Sequence, residues 1–103
     1  MKILIVGKGA REHAFAWKIA QSPKLTQLYA APGSPGIAQY AKCIDLSDSD
    51  FDGLIGLVQK EQIDLTLVGP EVPLAEGIVD RFQEAGLTIF GPTQAAAQIE
   101  ADK

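Results

Sequence analysis

Ile3-Leu4-Ile5-Val6-Gly7-Lys8-Gly9-Ala10-Arg11-Glu12-His13 is the stretch that decides how this chain folds. A short apolar run, rich in β-branched residues, comes first. Two glycines follow, and then helix formers with charge among the first of them. A strand that is apolar at every position belongs to a parallel sheet covered on both faces. The glycine turn after it presents backbone N–H groups and the positive end of a helix. These first residues therefore point to a site for a phosphorylated small molecule.

The alternation continues along the chain. Residues 2–6 read as a buried strand and 11–21 as a helix. Ala14, Ala16 and Ala20 with Phe15, Trp17 and Ile19 cover most of that helix's circumference. It is expected to be buried against the sheet, with Trp17 in the core. Ser22-Pro23 ends it. Residues 27–31 read as a second strand, 32–36 as a Pro/Gly loop and 42–46 as a short third strand. Ser49 or Asp50 can cap the next helix, whose stripe is Phe51, Leu54, Ile55 and Val58. Residues 64–68 make a strand, followed by the rigid turn Gly69-Pro70-Glu71-Val72-Pro73. Ala75, Ile78, Val79 and Phe82 form another helical stripe, closed by Gly86. Residues 87–90 are the last strand, and Thr93 can cap a final alanine-rich helix. Strands alternating with helices imply an open, Rossmann-like parallel α/β sheet with helices on both faces and right-handed crossovers.

Composition sets the outer bounds. The 103 residues make one domain, and 47% apolar content can fill a modest core. A net charge of −4 with scattered Lys and Arg argues against a nucleic-acid partner. No apolar run reaches the ~18 residues of a membrane span, and Met1-Lys2 with four apolar residues is too short to read as a signal peptide. One cysteine and one histidine, Cys43 and His13, make an internal disulfide impossible and a soft-ligand metal site unexpected. A cytoplasmic location is the expectation. The chain stops in the polar stretch Glu100-Ala101-Asp102-Lys103, which fits a natural terminus or a cut at a domain boundary.

In an open parallel sheet, ligands bind beyond the carboxyl ends of the strands, where strand order reverses. With five strands, that is expected between the first and the fourth. The loops there are residues 7–11 and 69–74, which also have the most unusual composition. A dinucleotide fingerprint would want glycine at 7, 9 and 12 and an acidic residue ending the second strand. Position 12 is Glu12, and Ala30-Ala31-Pro32-Gly33 closes the second strand, so both halves fail. A P-loop is absent too.

Each candidate side chain carries a plain alternative. Gly7 and Gly9 serve a tight turn, with or without a ligand close by. Arg11 can clamp a phosphate with its fork, or pair with a carboxylate in water. Glu12 suits a helix N-terminus on dipole grounds alone. His13 reads as a packed, hydrogen-bonded histidine rather than a catalytic one. Glu71, stiffened by Pro70 and Pro73, can recognise an amine or hydroxyl, or simply face water. Cys43 has no base near it in sequence and is no nucleophile.

Further landmarks follow in order along the chain. They are Val6-Gly7-Lys8-Gly9-Ala10-Arg11-Glu12-His13-Ala14, Ala16-Trp17-Lys18, Gln21-Ser22 and Ala31-Pro32-Gly33. Asp64-Leu65-Thr66 leads into Val68-Gly69-Pro70-Glu71-Val72-Pro73-Leu74, and Phe90-Gly91-Pro92-Thr93 precedes Ala95-Ala96. Together they resemble the opening of the glycinamide ribonucleotide synthetase (phosphoribosylamine–glycine ligase) family. The resemblance implies that residues 1–103 are an N-terminal, pre-ATP-grasp domain, with the ATP-grasp and C-terminal domains outside this chain. It implies a purine-biosynthesis enzyme that joins glycine to 5-phosphoribosylamine while ATP becomes ADP and phosphate. ATP and Mg²⁺ would sit in the domains outside, with no cofactor within 1–103. Gly9, Ala10 and Arg11 would face the ribose phosphate or the ribose, with Glu12 in the same motif. Pro70 and Glu71 would position the ribosylamine end. The family has glycine where Ala10 stands, and its methyl group narrows the backbone angles and crowds a close ligand.

Transfer from ATP needs carboxylates for Mg²⁺ and basic groups on the phosphates. The chain lacks such clusters, so no catalytic residue and no metal ligand is assigned to it. Alone it is expected to hydrolyse no ATP. The alternatives are a free-standing Rossmann-type module that binds a nucleotide or phosphosugar without catalysis, and a scaffold that docks other subunits.

Overall fold

The computed structural model describes residues 1–70, 73, 74 and 76–91. Strand β1 spans Lys2–Gly7, helix α1 Ala10–Ile19 and strand β2 Gln27–Pro32. A 3₁₀ turn at Ile37–Gln39 leads to the two-residue strand β3, Lys42–Cys43. Helix α2 is Phe51–Glu61, strand β4 Leu65–Val68, helix α3 Ile78–Glu84 and strand β5 Ile89–Phe90. The strands form one sheet in the order β3-β2-β1-β4-β5, and every pair is parallel.

β1 takes the centre because it is apolar on both faces. Ile3 pairs with Leu28 on one side and Leu65 on the other, and Val6 with Ala31 and Val68. Alternation along the strand then divides the core in two. Leu4 and Val6 join Tyr29, Leu54, Val58, Val68, Ile78 and Phe82 under α2 and α3. Ile3 and Ile5 join Ala16, Ile19, Leu28, Ala30, Ile37 and Leu67 under α1 and the 3₁₀ turn. Each fully buried Leu, Ile or Phe contributes about 1.5–3 kcal/mol over leaving it in water. Helices do lie on both faces of the sheet, and strand order reverses between β1 and β4, where the sequence places it.

Local signals act as their chemistry requires. Of the two expected caps, Asp50 is the one used: its Oδ1 accepts a 3.1 Å hydrogen bond from the Gly53 N–H. Phe51, Leu54 and Val58 are buried along α2, and Ile55 packs at the edge of that core. Gly86 follows α3 in the left-handed region, and its N–H reaches the Gln83 carbonyl at 3.0 Å.

The structure departs from expectation at three places. Trp17 is not in the core. It lies on the outer face of α1 and is 53% exposed, because Ala16 and Ile19 supply the buried stripe. The third and fifth strands are shorter than 42–46 and 87–90, since an edge strand extends only as far as its single neighbour pairs with it. Helix α1 ends at Ile19, two residues before the expected stop. Glu71, Val72, Ala75 and the helix expected after Thr93 fall outside the described residues. One core group is out of keeping with its surroundings: the Thr66 hydroxyl is fully buried and has no hydrogen-bond partner.

Candidate functional site

The three inner strands end in glycines that lie side by side at the carboxyl edge. The Gly33 N–H donates to the Gly7 carbonyl at 3.1 Å, and the Gly69 N–H donates to the Val6 carbonyl at 3.2 Å. Gly7 has φ of +136°, a conformation that side-chain-bearing residues avoid. From there the chain turns through Lys8 and Gly9 into α1. Gly9 is the N-cap and has no side chain to cap with, and the first helical bond runs from the His13 N–H to the Gly9 carbonyl at 3.0 Å.

Arg11, Glu12 and His13 leave this first turn of α1 toward different loops. The Arg11 guanidinium donates from Nη1 to the Gly69 carbonyl at 3.2 Å. Its side chain is otherwise exposed at the mouth of the crevice, so it keeps N–H donors beyond that one. Glu12 turns inward and is only 5% exposed. A methyl group at Gly7 would overlap its Oε1, and one at Gly69 would lie 2.7 Å from its Cδ. The carboxylate therefore fills the gap between the ends of β1 and β4. It also lies at the positive end of α1, which favours it by about 0.3–1 kcal/mol. Among the described residues none hydrogen-bonds to it. His13 packs on the 32–36 loop, its imidazole against Gly36 and 6.0 Å from the ring of Tyr40. It is packed as expected, but its side chain makes no hydrogen bond to a described residue.

Arg11 and Glu12 thus meet Gly69, with Gly9 beside the Glu12 carboxylate. Ala10 and Pro70 adjoin these residues in sequence, and Glu71 lies outside the described residues. Sequence reading placed Gly69 in a site loop and Gly36 in a Pro/Gly loop but gave neither a role of its own. Their role is to be small, so that Glu12 and His13 can pack against bare backbone. A glycine directly after a buried strand is the available signal for such a close approach. Among the described residues no group of three or more His, Cys, Asp or Glu could hold a metal ion. None of their helices is long and apolar enough to cross a membrane.

An open parallel sheet with a polar crevice at its point of strand reversal defines a class of α/β ligand-binding domain. Residues 1–100 match the family model described as phosphoribosylglycinamide synthetase, N domain, and the chain belongs to that family. Relatives named phosphoribosylamine–glycine ligase align with all of it. They include proteins from Xanthomonas campestris at 56% identity, Halalkalibacterium halodurans at 52% and Agrobacterium fabrum at 50%. The chain spans about a quarter (24%) of the length of each of these relatives.

Proposed function

We propose that this chain is the substrate-side, N-terminal domain of a phosphoribosylamine–glycine ligase. The full enzyme would join glycine to 5-phosphoribosylamine in purine biosynthesis, in the cytoplasm, with ATP cleaved to ADP and phosphate. ATP and Mg²⁺ would be held by an ATP-grasp domain beyond residue 103. The residues described here do not fit that metal, having no cluster of ligands for it.

The observation that carries this reading is the family match over residues 1–100, supported by Arg11 and Glu12 of its first landmark meeting Gly69 of a later one. The turn at Gly9, Ala10 and Arg11 faces the ribose or its phosphate, and Pro70 and Glu71 position the ribosylamine end. Arg11 is suited to the phosphate by its exposed fork. Arg11→Ala is expected to weaken ribose 5-phosphate binding by ~1.5–3 kcal/mol, the scale of a hydrogen bond to a charged group.

The test is to express the complete reading frame that encodes these residues and to measure ADP release. Release that depends on both glycine and phosphoribosylamine is expected from the complete product, and none from residues 1–103 alone. A complete product that releases no ADP with both substrates overturns the ligase reading in favour of a free-standing phosphosugar-binding module. ADP release from residues 1–103 alone overturns the division of labour between domains.

A further inference from the structure

Glu12 stands at the third position of the spacing Gly7-x-Gly9-x-x-Glu12, where a dinucleotide-binding turn carries glycine or alanine. In such turns the pyrophosphate rests on the first turn of the helix. Here a carboxylate of the protein's own lies there. It is 5% exposed and wedged between Gly7 and Gly69, at the floor of the crevice. A methyl group on Gly9 would be 3.8 Å from both of its oxygens, so the carboxylate also lies beside the N-cap. No described residue gives it a hydrogen bond. Its oxygens are not among the buried polar atoms that lack a partner, so they face the solvent at the crevice floor. The helix dipole favours the charged form there, and the lone pairs that no described residue uses remain open as acceptors.

We infer that Glu12 is the specificity-determining residue of this crevice: its carboxylate bars phosphate groups from the glycine turn and accepts N–H or O–H bonds from the ligand that lies on the floor. An anion placed on the turn meets a fixed like charge. An amine or hydroxyl placed there donates to the carboxylate in place of water. Arg11 gives the crevice its opposite pole, since its guanidinium is exposed at the mouth and only one of its bonds is spent on Gly69. A ligand with donors at one end and an anion at the other is therefore oriented donor inward. For the ribosylamine substrate, a corollary that rests on the ligase reading, the phosphate points outward. The exclusion itself goes beyond that reading and stands on the geometry.

The experiment is a titration of the ¹⁵N-labelled chain with inorganic pyrophosphate, following the amides of Gly7, Gly9, Ala10 and Arg11. The variants are Glu12→Gln, which keeps the volume and removes the charge, and Glu12→Gly, which completes the three-glycine spacing. Glu12→Asp keeps the charge and serves as the conservative rescue. Wild type and Glu12→Asp are expected to show no saturable shifts at these amides. Glu12→Gln and Glu12→Gly are expected to bind at least about tenfold more tightly, the scale of one charge-assisted hydrogen bond. A merely structural role for Glu12 would not make binding follow the charge. Should Glu12→Gln lose its dispersed spectrum, Glu12→Gly carries the comparison. Saturable pyrophosphate binding to the wild-type turn overturns the inference by itself, and so does a folded neutral variant that gains nothing. Ribose 5-phosphate, titrated separately, reports on the ligase reading, so the two ideas fail on different probes.

Discussion

The imidazole of His13 lies against Gly36, and a methyl group on that glycine would fall 2.6 Å from Cε1 and 2.9 Å from Nδ1. Gly36 has ordinary right-handed backbone angles, φ −67° and ψ −43°, so the obstacle is the ring and not the backbone. Gly36→Ala is expected to cost about 1–3 kcal/mol, the usual range for overpacking. Adding His13→Ala should recover much of that loss. Urea unfolding of the two single variants and the double variant measures the coupling. Strict additivity would show that the ring yields freely.

Gly7 and Gly69 both press on Glu12, yet they should respond differently. The three atoms nearest a methyl group on Gly69 all belong to the Glu12 side chain, and Gly69 has no positive φ. A Glu12→Ala background is therefore expected to relieve most of its cost. Gly7→Ala meets the same carboxylate and must also hold φ at +136°. That strain, on the order of 1–3 kcal/mol, should persist when Glu12 is gone. Thermal unfolding of the four single and double variants separates the two effects.

Thr66 offers a gain in stability. Its hydroxyl is buried in the sheet without a partner, which wastes the hydration that it gave up. Thr66→Val has nearly the same shape and loses only that hydroxyl. It is expected to raise stability by about 1 kcal/mol, or roughly 4–8 °C in Tm for a domain of this size. A lower Tm would mean that the hydroxyl is satisfied in solution.

Trp17 tests the packing of α1 directly. At 53% exposure it contributes little to the core. Trp17→Lys should change stability by less than about 0.5 kcal/mol, as surface substitutions do. Its fluorescence, the chain's single Trp signal, should report water contact and be quenched readily by iodide. A blue-shifted, protected emission would place the ring in an interface.

Strand positions were legible because they depend on local patterns, and the reversal between the first and fourth strands followed from the general rule for open parallel sheets. An all-apolar β1, the capped stripe of α2 and the glycine after α3 each declare themselves within a few residues. Trp17 was misplaced because apolar character alone does not say which side of an alanine-rich helix turns inward. The edge strands were drawn too long because their ends depend on a neighbour, not on their own residues. At the site, Arg11 and Glu12 were legible as candidates, but their contacts were not. Both meet Gly69, some 58 positions from Arg11 along the chain. No reading of either segment alone shows that the two meet.

The strand order 3-2-1-4-5 has a consequence for how the protein emerges from the ribosome. Synthesis delivers β1, α1 and β2 first, a unit whose own parallel ladder is complete by Pro32. Glu12 is then still in water, because the wall it will press against has not been made. Only when β4 and Gly69 arrive does β1 gain its second neighbour and the Glu12 side chain become enclosed. The enclosure of Glu12 thus coincides with the pairing of β4 on β1. The surroundings of Glu12 are completed by residues made more than fifty positions after it.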